Sequence, residues 1–259
     1  MSGWKRILAV IVVWAGAGTA FGEGLYWEST TSGIGNEART TQTYAMPKML
    51  KIVSGNQTTI LRADRDQLVQ IDSTKKTYRE MTVAEVESAA NAMHAQMETV
   101  QAEMAKRMKD MSPEQRAMME KMMPQLPGAA GKAASQAADI VVKNTGETKT
   151  IAGYTCTKYV ASEGDKPLLV AWTTKDVKGF EGLREDWLAF QKRTARISQG
   201  GADVAEAFAK IEGFPMRTEM GQMKTEVTKV EARAIPASEF DPPAGYKKEA
   251  ANLPKVGGH

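Results

Sequence analysis

Apolar and polar positions alternate along residues 25–81 in short runs rich in aromatic and β-branched residues. YWESTT and RTTQTYAM open the series, and KMLKIVSGNQTTILRADRDQLVQIDSTKKTYREM continues it. Turn-forming clusters interrupt the alternation at Ser54-Gly55-Asn56, Ala63-Asp64-Arg65 and Asp72-Ser73-Thr74. A strand-to-turn rhythm of about ten residues predicts an antiparallel meander, because parallel neighbours need a crossover of helix length between them.

At Thr82 the period changes. Val86, Ala90, Met93, Met97, Val100, Met104, Met108 and Met111 recur at helical spacing. At about 100° per residue they fall within an arc of roughly 80°. Glu85, Glu103, Lys106 and Asp110 lie off that stripe. The spacing predicts a helix that stops near Met111, and SPEQ predicts a restart, with Ser112 as cap, Pro113 at the first helical position and Gln115 closing a capping box. A second helix from Pro113 to Met123 would end ahead of Pro124, giving a helical hairpin or a kinked pair.

PQLPGAAGKAASQAAD reads as a flexible connection, and strands resume at Ile140 as IVVKN, ETKTI, YTCTKYVAS and PLLVAWTT, with a turn at Glu163-Gly164-Asp165. FEGLREDWLAFQKRTARI is amphipathic through Leu183, Trp187, Leu188 and Phe190. DVAEAFAKI reads as a shorter helix capped by Asp203, FPMRTEM and KTEVTKVEARAI as two last strands, and DPPAGY as a rigid closing turn.

Composition narrows the picture. The chain begins MSGWKRILAVIVVWAGAGTAFGEGLYW, in which Lys5 and Arg6 precede an apolar run from Ile7 to Trp14 and small residues follow. That is the layout of a cleavable export signal, with cuts after Gly22 or Ala20 both consistent and no cysteine near them to carry a lipid. A periodic stretch apolar enough to span a bilayer is not found later, so the expected product is exported, periplasmic or secreted, and not membrane-spanning after signal removal. The 34 basic and 31 acidic residues are mixed along the chain for a formal net charge of +3. Such mixing describes a solvated surface and offers no block for nucleic acid. Cys156 is the single cysteine, which excludes an intrachain disulfide and reads as a small buried residue. His94 and His259 are the only imidazoles, which argues against most metal and acid–base chemistry.

Nine of the sixteen methionines lie between Met93 and Met123. Three readings fit them: core packing, an adaptable surface for an acyl chain or partner helix, and soft ligation of Cu(I) by pairs one turn apart. Carboxylates form no recognisable catalytic pair, and Glu181, Arg184, Glu185 and Asp186 read as the solvated face of their helix. Serine-nucleophile, phosphate-loop and zinc motifs are absent, so a non-enzymatic protein without cofactor or metal is expected.

IAGYTCTKY, AWTT and EGFPMRTEM…TEVTKVEARAIPASEFDPPAGYK together resemble a bacterial envelope family known as domain of unknown function 4412. The early meander and Met-rich helices also fit the resemblance, which then spans most of the mature chain. The family is similar in fold to the periplasmic lipoprotein carriers LolA and LolB. The resemblance implies a curved antiparallel sheet forming an incomplete barrel, with helices across its open face and an apolar cavity for a lipid or acyl ligand. On these grounds the fold class is α+β, with a Met-rich helical hairpin inserted. Residues 1–22 are the signal and 23–250 one domain: strands 25–81, helical insertion 82–123, connection 124–139, and strands and helices 140–250. Residues 251–259 are expected to form a disordered tail. Expected ligand contacts are Met93, Met97, Met104, Met108, Trp27, Trp172 and Trp187. The expected partner is an apolar small molecule or lipid, with an envelope protein docked on the Met-rich helices as the alternative.

Overall fold

A computed structural model describes residues 21–33, 35, 37–109, 140–197 and 201–251. The signal segment up to residue 20, the second predicted helix, the predicted connection and the tail beyond 251 lie outside the described residues.

The chain first forms a six-stranded meander: β1 (Phe21–Ser32), β2 (Arg39–Met46), β3 (Met49–Ser54), β4 (Gln57–Arg62), β5 (Gln67–Asp72) and β6 (Thr77–Thr82). Each strand pairs antiparallel with the next. The three turn clusters fall where the alternation breaks, and positive φ at Gly55, Asp66 and Lys76 turns the chain back. Helix α1 (Val83–Lys109) follows without a break. Thr82 and Glu85 start it with a reciprocal capping box: the Glu85 N–H donates to Thr82 Oγ1 (3.1 Å) and the Thr82 N–H to Glu85 Oε2 (2.7 Å).

The second half mirrors the first. β7 (Ile140–Ile151), β8 (Tyr154–Glu163) and β9 (Lys166–Thr174) form a meander, α2 (Phe180–Ile197) and α3 (Gly201–Lys210) interrupt it, and β10 (Phe214–Met220) and β11 (Met223–Pro236) complete it. IVVKN and ETKTI, read from sequence as two strands, are one strand. The register shifts between Asn144 and Thr148, where Gly146 has a φ of 75°, so the glycine makes a bulge and not a break. β10 carries a second irregularity, where Pro215 gives up a ladder donor and the register shifts before Arg217.

The two meanders join where β1 lies antiparallel to β11, from Phe21 opposite Pro236 to Ser32 opposite Lys224. With a last strand, β12 (Lys247–Glu249), the described residues form one open sheet of 12 strands in the order β12-β6-β5-β4-β3-β2-β1-β11-β10-β9-β8-β7. β12 is the exception to the antiparallel pattern, since it runs parallel to β6. The fold class is α+β, an incomplete barrel with helices across one face.

Register sets the faces. Leu25, Ala45, Leu50, Leu61, Leu68 and Met81 stand opposite one another across six strands and form an apolar row on the helix side. Phe180, Leu183, Trp187 and Phe190 of α2 pack onto this side, with Phe214 and Trp27 completing the cluster. Phe214 meets Phe180 and Trp27 edge to face, at 5.0 and 5.5 Å between ring centroids. α3 and Ile211, which follows it, cover the β7–β9 end of the sheet, with Ala207, Phe208 and Ile211 against Ile140, Leu169 and Ala171. Asp203 lies within the first turn of α3 and not at its cap, because the helix already begins at Gly201.

The opposite face of the meander carries a third cluster, in which Ile60, Val69 and Ile71 pack against Ile235 and Phe240. A short 3-10 turn, Ala237–Phe240, and the DPPAGY segment cross this face as a strap. Asp241 of the strap accepts a 2.9 Å bond from Arg62 Nη1, while Arg62 Nε and Nη2 donate to Asp64. Arg62 is 5 % exposed, so the two carboxylates supply the compensation its buried charge requires. The same guanidinium holds the Asp64 carboxyl below its usual range. The strap then delivers β12 to the outer edge of β6.

Candidate functional site

The row Leu25–Ala45–Leu50–Leu61 does not fill the space under α2. A cleft remains between it and the helix, floored by those residues and Trp27, roofed by Phe180, Leu183, Trp187, Ala189 and Phe190. Its empty space is about 650 Å³ out to the open side, with a core of about 100 Å³. Met46 and Met49 border one side at the β2–β3 turn while their side chains pack in the cluster on the opposite face, and among the described residues the charged ones that line the cleft are Lys48 and Asp186.

α2 holds the roof by two polar ties. At the mouth, the Lys48 N–H donates to Asp186 Oδ2 at 2.8 Å, joining the β2–β3 turn to the helix across 138 residues of sequence. The turn itself is built by Pro47 and by Lys48 at φ 61°, the pair of conformations a type II turn needs. The Ala63 N–H donates to the Lys48 carbonyl at 2.8 Å and pins the turn from the other side. Elsewhere on α2, Arg184 Nη2 donates to the carbonyls of Ile211 (2.9 Å) and Ala209 (3.4 Å), where α3 ends. A cation there satisfies orphan carbonyls and meets the negative end of the helix dipole. Two of the four residues read as a solvated face, Arg184 and Asp186, therefore make specific tertiary contacts.

The sequence-predicted site residues part company. Trp27 and Trp187 line the cleft. Trp172 does not: it stands opposite Lys158 on β8 and Arg217 on β10, with Lys158 Nζ 5.7 Å from its ring. Met93, Met97, Met104 and Met108 lie on α1, which packs against α2 and β6; among the described residues none from α1 lines the cleft. Ala89 and Ala90 are buried, but Met93 is 47 % exposed, Val100 50 % and Met104 36 %; Met97 is half-buried. The side chain of Met108 lies outside the described residues. Met46, Met49, Lys48 and Asp186 were not anticipated; the turn chemistry of Pro47-Lys48 was the signal available for that side of the mouth.

Cys156 is fully buried, its Sγ 3.5 Å from the Tyr154 carbonyl, and burial pushes its thiol pKa up. A raised thiol pKa in a closed core makes it a packing residue. Among the described residues no helix is long and apolar enough to cross a membrane.

A family model described as Domain of unknown function (DUF4412) matches residues 84–246. The chain belongs to this family. The match is narrower than the sequence resemblance suggested: it opens inside α1 and ends at Tyr246, leaving the first meander outside. No curated protein matches the sequence. Among solved structures, an uncharacterised conserved protein from Thermus thermophilus is similar over 88 % of this chain and 90 % of its own, at 7 % identity and a TM-score of 0.43. PNGF-II is similar at 11 % identity and a TM-score of 0.37; 89 % of this chain spans 31 % of that one. A LolA superfamily protein from Nitrosomonas europaea is similar over 86 % of this chain and 90 % of its own, at 7 % identity and a TM-score of 0.27.

Proposed function

We propose that this DUF4412 protein is an exported, non-enzymatic binding protein that takes an apolar ligand, such as a lipid, acyl chain or lipoprotein tail, into the cleft beneath α2. The observation that carries this reading is the cleft: its walls are aromatic and aliphatic side chains, and among the described residues the charged ones that line it are Lys48 and Asp186. Apolar concave sites with few polar groups are the usual form of small-molecule pockets. Binding draws on burial of apolar surface, at about 25 cal/mol per Å². The Lys48–Asp186 tie at the mouth is one exposed hydrogen bond, worth about 1 kcal/mol, so the entrance opens by breaking it while the rings of α2 stay packed.

Native mass spectrometry of protein purified from the periplasm of its own host, followed by solvent extraction, tests the reading. A stoichiometric lipid or acyl adduct is expected, and Ala189→Phe, an exposed change at the roof, should abolish it with the fold intact. A wild-type protein that remains free of adduct after lipid incubation would sink the proposal.

The second reading, an envelope protein docked on α1, is favoured by the exposure of Met93, Val100 and Met104. A photoprobe at Met93 distinguishes the two: a protein adduct supports docking, a lipid adduct carriage. Export itself is also proposed. N-terminal sequencing of the mature protein should begin at Phe21 or at Glu23.

A further inference from the structure

We infer that the ligand is a single-chain amphiphile with an anionic head, its tail under α2 and its head held at the mouth by the Lys48 ammonium. This rests on the apolar-ligand reading above and adds a head group and a chain count to it.

Size sets the chain count. The cleft has about 650 Å³ of space out to its open side but narrows to a core of about 100 Å³, below the ~150 Å³ engineered cavity that takes one benzene, so two chains side by side do not fit its narrow part. Wall chemistry places the head. Inward of the mouth the walls are Leu25, Leu50, Leu61, Leu183 and aromatic rings, none of which can replace the water a charged head would lose. The head therefore stays at the opening, beside Lys48 and Asp186.

Reach decides between those two charges. Asp186 is held against the β2–β3 turn by the Lys48 backbone N–H that it accepts, and it keeps its negative charge there. The Lys48 side chain is exposed, and among the described residues no carboxylate forms an ion pair with its ammonium. The base of that side chain is fixed by the Pro47-Lys48 turn and by the Ala63 N–H on its carbonyl. Its flexible stem then carries a compact cation over the opening. A carboxylate or a phosphate monoester satisfies the same cation, and the test separates them.

Trp27 and Trp187 line the cleft, so tryptophan quenching of the mature full-length chain reports occupancy. Decanoate, decyl phosphate, decanol and decyltrimethylammonium are titrated below their micelle concentrations. The two anions should bind more tightly than decanol, and the cationic amphiphile most weakly. The better of the two anions names the head. Lys48→Met should weaken the anions about three- to fivefold, the worth of one exposed ion pair, and Lys48→Arg should restore them. Equal affinity for decanol and the anions, or anion binding indifferent to Lys48→Met, overturns the head-group assignment while leaving the cleft as an apolar site. Failure of all four to bind overturns both readings.

Discussion

Helices α1 and α2 pack side by side, and both carry an apolar stripe at helical spacing, yet they meet opposite fates. α2 spends its stripe on Phe180, Leu183, Trp187 and Phe190, all turned into the core. α1 buries Ala89 and Ala90 near its start and then presents Met93, Val100 and Met104 to solvent. The difference lies in reach and rigidity. α2 is tied at Asp186 and Arg184 to other elements, so its rings settle into fixed edge-to-face contacts, such as Trp187 with Phe208 at 5.3 Å. α1 has 27 residues, about 40 Å at 1.5 Å per residue, and its buried alanines lie near its start while Met93, Val100 and Met104 further along are exposed. An apolar stripe therefore states that a face wants covering, and not what covers it.

The largest effect that would sharpen this contrast is Phe180→Ala. It removes a ring at the centre of the main cluster and should cost about 3–5 kcal/mol by urea unfolding. A loss below about 1 kcal/mol would mean that α2 is no more committed to the core than α1. Arg184→Met leaves carbonyls at the end of α3 unpaired, and a cost of about 1–2 kcal/mol is expected. An unchanged midpoint would show that water replaces the guanidinium. Thr82→Ala removes the α1 cap at about 1 kcal/mol, visible as lost helicity confined to that segment.

The same cap carries a pH signature. Bonds from the Thr82 N–H and hydroxyl hold the Glu85 carboxyl below its usual range. Its contribution is present above the unfolded carboxylate value, near about 4.3, and disappears as pH falls through the lower folded value. Amide exchange at the start of α1 should then rise in acid sooner than exchange in α2. Least affected should be Met93→Ala and Met104→Ala, each within about 0.5 kcal/mol of the parent. A larger loss would show that these methionines are packed in solution, and the comparison would collapse.

Much of this was legible in sequence for a local reason. The six-strand meander follows from alternation and turn residues a few positions apart, and α2 from the spacing of Leu183, Trp187 and Phe190. What escaped depends on partners distant in the chain. Asp186 looks like one more surface carboxylate until the β2–β3 turn arrives 138 residues away. Trp172 invites a place in the cavity by size and apolarity, but strand register sets it among Lys158 and Arg217 instead. FDPPAGY is readable as a turn, whereas the clamp of Asp241 on Arg62 is not, because 179 residues separate them. The capping box foreseen at Ser112 lies outside the described residues, and the one at Thr82 was missed because its threonine closes a strand.

The strap has a consequence for timing. The first meander is complete by Thr82, yet its two outer strands, β1 and β6, find their neighbours only in β11 and β12, at the far end of the chain. During synthesis some 140 residues must follow before β1 meets Met223–Pro236, and the edge of β6 stays bare until Lys247 arrives. Closing those two borders waits on the last-made residues, because pairings between segments far apart in sequence are the slow ones to form. Until then the first six strands form a template with two unsatisfied borders, open to any strand that reaches them first.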